Sequence, residues 1–353
     1  MQYRLLGPSG VRVSVISLGT VFYGSQVPAQ KAIGIIHAAL DRGLNFIDTA
    51  ESYQRPAYGA AEEVVGQALQ GRRHAVVVAT KKRRDPDQFR TETPRDHGLS
   101  RHQIVSAVEG SLKRLRTDYI DLYYPHHVDP TVDLEVTLRA FDDLLRAGKV
   151  RAIGLSNFPG WLTVEAMWIA DRRNLERATC VQTLYNLLER GAERELLPAC
   201  RRHGLSLVPF SPLAGGVLSG KYYPDGALPP DSRAVTVGYA SVGRPSFMPV
   251  LSQGNLLAAG RLGDVARELG LTPSQAAIGW VLHQPNVASA IVGASSTAQL
   301  EENLAAADVV LDFEACARLV AAVDGTEPER ADSQQRTADA SAAASDKRRE
   351  TGT

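Results

Sequence analysis

The stretch Val13–Gly24, VSVISLGTVFYG, decides the fold. Its first half, Val13–Leu18, is a β-branched apolar run of the kind that forms a strand buried on both faces. Its second half, LGTVFYG, is the turn that leaves that strand. A doubly wound sheet needs a G-x-G-x-x-G turn at this place, so that backbone and helix can pack closely, and the segment lacks that spacing. Seven more runs of the same character follow: Asn45–Thr49 (NFIDT), Val76–Thr80 (VVVAT), Ile120–Tyr124 (IDLYY), Ala152–Ser156 (AIGLS), Cys180–Tyr185 (CVQTLY), Ser206–Phe210 (SLVPF) and Ala288–Val292 (ASAIV). Amphipathic stretches separate them. Gln30–Asp41 carries Ile33, Ile36, His37 and Leu40 and stops at Arg42-Gly43. Arg101–Arg116 sets Ile104, Val105, Val108, Leu112 and Leu115 on one stripe, and Leu134–Ala147 repeats the pattern up to Gly148. Eight strands alternating with helices predict an α/β fold, a (β/α)8 TIM barrel.

Outward from that frame, Tyr3–Leu6, a Gly7-Pro8-Ser9-Gly10 turn and Val11–Val13 predict an N-terminal β-hairpin, placed to plug the N-terminal mouth of the barrel. The stretch Gly220–Gly254, after the seventh strand, is rich in Gly, Pro, Ser and Tyr without periodicity, and its length favours a functional loop or lid. Residues 327–353 are polar and nearly free of large apolar groups, so they are expected to be a disordered tail after a single barrel domain, 1–326.

Composition narrows the function. The 353 residues hold 39 Lys plus Arg and 39 Asp plus Glu, so no basic excess exists to neutralise a phosphate backbone, and nucleic acid is not an expected partner. No apolar run reaches the length of a membrane span. The start, MQYRLLGPSG, has no apolar core of signal-peptide length. Three widely spaced cysteines, Cys180, Cys200 and Cys316, give neither a disulfide framework nor a metal pattern. A cytoplasmic protein with reduced thiols is expected. Many Ala, and far more Arg than Lys, point to a GC-rich bacterial genome.

In a parallel barrel the site is built at the C-terminal ends of the strands. The second strand ends in Asp48-Thr49-Ala50, with Tyr53 five residues after the Asp; the third ends in Lys81; the fourth runs into His126 and His127. A free phenol, with a pKa near 10, is a poor proton donor at neutral pH. An adjacent ammonium lowers that pKa, and a carboxylate keeps the ammonium charged and oriented. A neutral imidazole can hydrogen-bond a substrate carbonyl. Together these groups suit protonation of an alkoxide forming from a carbonyl. Two adjacent histidines are wrongly spaced for two ligands on one strand face, so no metal is read.

Residues 43–53, GLNFIDTAESY, resemble the signature of the aldo-keto reductase superfamily. So do Ala79-Thr80-Lys81, SLKRLRTDYIDLYYPHHVDP (111–130), GLSNF (154–158), VQTLYN (181–186), PFSPLAGGVLSGKY (209–222) and IVGASSTAQLEENL (291–304). The resemblance is collinear from the N-terminus to about residue 325 and implies the same barrel. It implies Tyr53 as general acid, Asp48 and Lys81 as the groups that tune it, and His126, through the Asp121-Leu122-Tyr123-x-x-His126 spacing, as the group that orients the carbonyl. The Ala-Thr-Lys pattern selects Lys81 over Lys82. It also implies a nicotinamide cofactor: Ser156, Asn157 and Gln182 at the carboxamide, Phe210 stacked on the ring, Ser211, Leu213 and Gly215 along the pyrophosphate, and Gly293, Ser295, Gln299, Glu302 and Asn303 at the adenosine.

The expected activity is reduction of an aldehyde or ketone by NADPH. The segment 293–303 lacks a basic residue and carries Glu301 and Glu302, so NADPH is expected to be preferred over NADH by a modest margin only. Tyr23 is expected on the wall of the substrate cleft, and Trp161 is expected to pack at the start of its helix. Two narrower roles stay open through the resemblance. One is a dedicated NDP-deoxyhexose reductase, suggested by HHVD (126–129) and LYNLLERGAERELLPAC (184–200). The other is a cofactor-binding regulatory subunit of the potassium-channel β-subunit kind. The oligomeric state is not legible.

Overall fold

The computed structural model describes residues 1–53, 58–83, 98–222, 226, 228–230, 232–236 and 248–327. The chain opens with an antiparallel hairpin, β1 (Tyr3–Leu5) and β2 (Arg12–Ser14), joined through a 3-10 turn at Gly7–Ser9. Eight parallel strands follow: β3 (Ile16–Gly19), β4 (Phe46–Asp48), β5 (Val77–Lys82), β6 (Leu122–Pro125), β7 (Gly154–Ser156), β8 (Cys180–Leu184), β9 (Ser206–Phe210) and β10 (Ala290–Gly293). Their order is β6-β5-β4-β3-β10-β9-β8-β7, and a bridge between Tyr123 and Ile153 joins the two ends into a barrel. The expected first run is two elements: Val13 ends in the hairpin, and the barrel strand begins at Ile16.

Helices α1 (Ala29–Asp41), α2 (Ala60–Ala68), α3 (Arg101–Leu115), α4 (Leu134–Arg146), α5 (Gly160–Arg173) and α6 (Leu196–His203) alternate with β3–β8. Beyond β9 the expected loop contains a four-residue helix, α7 (Arg233–Thr236), and gives way to α8 (Gln253–Glu268) and α9 (Pro273–His283) before β10. The rest of that loop lies outside the described residues. Two helices, α10 (Thr297–Ala305) and α11 (Phe313–Asp324), complete the barrel, and the tail expected from 327 onward falls, past Glu327, outside the described residues as well. Helix starts follow local chemistry: Thr272 and Gln275 form a capping box on α9, and Asp133, Ser296 and Asp312 cap α4, α10 and α11. The stripe read on α1 is rotated. Its buried face is Ala32, Ile35, Ile36 and Ala39, with Ile33 and Leu40 only partly covered. Among the described residues no helix is long and apolar enough to cross a membrane.

Two apolar layers hold the barrel. The outer layer lies between strands and helices. The inner one is a compact cluster of Phe46, Ala79, Leu122, Tyr124, Cys180, Val208 and Ile291, and the hairpin adds Leu6 and Val13 to it. The hairpin therefore stoppers the end of the barrel opposite the strand C-termini. Gly7 makes that seating fit: its φ is +55°, its N–H donates to Ser206 Oγ at 2.7 Å, and a Cβ there would lie 2.0 Å from the Thr179 carbonyl oxygen.

Candidate active site

At the open end, the register sets Asp48 level with Ala79 on β5, and Lys81 projects two residues further along. Lys81 is fully buried, and its three ammonium protons all have acceptors: Asp48 Oδ1 at 2.5 Å, the Thr49 carbonyl at 2.7 Å and Tyr53 Oη at 3.0 Å. Tyr53 Oη also lies 3.4 Å from Asp48 Oδ1. The second carboxylate oxygen, Oδ2, accepts from Gln182 Nε2 at 2.8 Å. Neighbouring Lys82 turns away and pairs with Glu51 at 2.9 Å.

The electrostatics differ from expectation in one respect. Burial raises the Tyr53 pKa; Lys81 pulls it down and Asp48 pushes it up again, so the phenol ends above its ordinary value, not below it. Burial pulls Lys81 down, but Asp48 and then Tyr53 hold its ammonium above the usual lysine range. The cluster is thus a neutral phenol on a firmly charged ammonium, which is itself on a carboxylate.

The His126 ring meets Tyr53 edge to face, with centroids 5.9 Å apart, and its Nδ1 lies 3.4 Å from Ser52 Oγ. Both histidines lie beyond β6, which ends at Pro125, so strand alternation does not set their rings on opposite faces. Their rings lie side by side, 4.7 Å apart. The contact with Tyr53 belongs to His126.

The remaining expected residues form an arc around the same rim. Ser156, the last residue of β7, is paired in register with Gln182 in the middle of β8. Asn157, left-handed at φ +58°, donates to the His126 carbonyl at 2.8 Å and to Ser156 Oγ at 3.0 Å. Phe210 ends β9, half-buried. Beyond it Ser211, Ala214, Gly215 and Gly216 all have positive φ, and Leu213 stands among them. Within that turn Ala214 N–H and Gly216 N–H donate to the carbonyls of Ser211 and Leu213, at 2.9 and 2.8 Å, and Pro212 has no N–H. Gly216 has φ +101°, and a Cβ there would lie 2.8 Å from Lys221 Nζ. Gly293 ends β10, and its carbonyl accepts from Asn303 Nδ2 at 3.2 Å. Gln299 Oε1 accepts from Ser295 N and Oγ, both at 2.9 Å, and Glu302 lies 3.4 Å from Thr272 Oγ1. These donors and acceptors on and before α10, with a half-buried aromatic and a glycine-bearing turn, fit a dinucleotide laid across the rim.

The sequence matches the model of the Aldo/keto reductase family over residues 15–324. The chain belongs to that family. It is 39% identical over 315 residues to a probable voltage-gated potassium channel subunit beta of Arabidopsis thaliana, covering 88% of this chain and 92% of that protein. It is 37% identical over 318 residues to the uncharacterized oxidoreductase YrpG of Bacillus subtilis (89% and 93% covered) and 32% identical over 345 residues to Protein tas of Escherichia coli (91% and 97%). As an aldo/keto reductase it is an NAD(P)H-dependent oxidoreductase that acts on small carbonyl compounds.

Two expectations about this reductase need correction. Tyr23 is 1% exposed and its hydroxyl donates to the Ala294 carbonyl at 3.1 Å, so it presents no surface to a substrate; burial pushes its phenol pKa up as well. Trp161 does not pack at the start of α5 but stands 60% exposed. Sequence reading also passed over Glu51, Ser52 and Lys221. The first two sit inside the quoted motif between Asp48 and Tyr53. The only signal for Lys221 was a cation five residues after the double glycine.

Proposed function

We propose that this aldo/keto reductase reduces an aldehyde or ketone to the alcohol with NADPH, Tyr53 giving the proton. What carries the reading is one buried ammonium, Lys81, bonded at once to Asp48 and to Tyr53 Oη. The reduced nicotinamide, when bound, supplies the hydride. As negative charge grows on the carbonyl oxygen, Tyr53 Oη passes its proton to that oxygen, and Lys81 Nζ–H stabilises the phenolate left behind. Asp48 keeps Lys81 charged and aimed. His126, beside Tyr53, orients the carbonyl oxygen by a hydrogen bond.

Ser156, Asn157 and Gln182 face the carboxamide in this reading, and Phe210 flanks the ring. Ser211 and the N–H groups of Leu213 and Gly215, with Lys221, take the pyrophosphate. Ser295, Gln299, Glu302, Asn303 and the start of α10 take the adenosine end. The reading places the enzyme in the cytoplasm, in keeping with three free thiols.

The test is NADPH oxidation at 340 nm with a panel of aromatic and aliphatic aldehydes, with the alcohol quantified. Turnover with matching alcohol formation supports the reading. A protein that binds NADPH but reduces none of these carbonyls supports the second reading, a regulatory subunit, which likeness to the plant relative, a probable voltage-gated potassium channel subunit beta, favours.

A further inference from the structure

We infer that Gln182 is a positioning residue for the proton donor: its amide nitrogen locks Asp48, so one side chain links the nicotinamide carboxamide to the Asp48–Lys81–Tyr53 chain. The inference rests on the reading above. In the sheet order, three strands separate β4 from β8 by either route, so Asp48 and Gln182 project from opposite walls of the barrel. Their 2.8 Å bond crosses the interior, with both side chains almost wholly buried.

The chemistry fixes the amide. An ionised carboxylate only accepts, so the group facing Asp48 Oδ2 is the nitrogen. With Nε2 so engaged, Oε1 is the atom left to accept from a carboxamide NH2. Asp48 then has Lys81 on one oxygen and Gln182 on the other. Two donors on two oxygens define the carboxylate plane. Lys81 has no spare proton, so a carboxylate that rotates must drag the ammonium away from Tyr53 Oη. A side chain that only held the cofactor would need no bond to Asp48.

Gln182→Met removes the donor at nearly constant shape. The full chain carrying it is compared with wild type in three measurements: NADPH affinity by fluorescence, kcat at saturating NADPH with its pH profile, and alkaline titration of Tyr53 at 295 nm without cofactor. The titration is isolated by subtracting the same protein carrying Tyr53→Phe. The expected result is at least a tenfold fall in kcat at saturating NADPH. The Tyr53 titration, and the alkaline limb of kcat, move upward by about one pH unit as Lys81 loosens and Asp48 loses its neutral donor. If NADPH binding weakens while kcat and the cofactor-free titration match wild type, Gln182 serves the cofactor alone and the inference is overturned. Should Gln182→Met not fold, Gln182→Glu keeps the shape and sets a second carboxyl against Asp48, and an unchanged Tyr53 titration in that variant also overturns it. Absence of carbonyl turnover in wild type would sink the reductase reading, while the cofactor-free titration would still decide the role of Gln182.

Discussion

Lys81 Nζ and Asp48 Oδ1 meet at 2.5 Å between side chains that are 0% and 2% exposed. Burying two charges costs several kcal/mol per ion before their attraction repays it. The pair stands where strands β4 and β5 end, with a phenol on its third corner, so its desolvation serves the site.

Removing one partner should therefore strand the other. Asp48→Asn and Lys81→Met are each expected to destabilise the barrel by about 3–5 kcal/mol, the usual result of leaving a buried charge unpaired. The double variant should lose clearly less than the sum of the two. Urea unfolding of the four proteins measures this, and strictly additive losses would show that the two charges do not depend on one another.

Tyr53→Phe should leave NADPH affinity within a few-fold of wild type and lower kcat by ~10²–10⁴, the range for a positioned acid. Because burial raises the phenol above its ordinary value, the proton is present at all pH values below that raised pKa and is lost only as pH rises through it. The acid-dependent plateau of kcat should thus extend through neutral pH to above ~10. A limb near neutrality that vanishes in Tyr53→Phe would mean that Lys81 outweighs burial.

The thiols offer a test away from the chemistry. Burial pushes Cys180 and Cys200 each up to about 12, and raises Cys316, which is only half-buried. A buried thiol with so little thiolate is inert. Ellman's reagent at pH 8 should find at most one reactive thiol per native chain, Cys316, and all three after denaturation. Fast reaction of Cys180 would mean that the barrel interior opens.

Gly216→Ala places a Cβ at φ +101° and against Lys221. It is expected to cost about 1–3 kcal/mol of stability, the strain of such a conformation, and to weaken both NADPH and NADH, since the pyrophosphate is common to them. A variant that loses neither would separate this loop from cofactor binding.

What the amino-acid pattern shows, and what it hides, follows from range. Strands β3–β10 are legible because β-branched runs buried on both faces have few other uses, and Asp48 and Lys81 stand out as polar groups at their ends, with Tyr53 in the turn after β4. The inward face of α1 is misread because it is half alanine: Ala32 and Ala39 let the helix approach closely but add little to a stripe counted in large side chains. Tyr23 follows a strand end yet turns inward to Ala294, a partner 271 residues away. The Gln182–Asp48 bond spans 134 residues and the Arg42–Glu301 pair 259, and local periodicity carries no record of either.

That last pair bears on cofactor choice. The segment 293–303 has no basic residue, and its two acidic ones would oppose a 2′-phosphate, but Arg42 reaches Glu301 at 2.5 Å and offsets one of them. The pair is roughly half exposed, so its effect is screened by solvent and salt. What remains for a dianion is the hydroxyl of Ser295, the Gln299 amide and the free N–H groups at the start of α10, a helix end suited to anions. Gln299 and Ser295 are bonded to each other, so that contact must reorganise before either serves a phosphate. Neutral donors bind a phosphate less tightly than a guanidinium would. NADPH should accordingly bind more tightly than NADH by only about tenfold, near 1.4 kcal/mol. Gln299→Leu should bring the two affinities to within about twofold by weakening NADPH alone. Fluorescence titration of both reduced cofactors against wild type and variant measures this, and tighter binding of NADH to wild type would instead assign Glu302 to the free ribose hydroxyls.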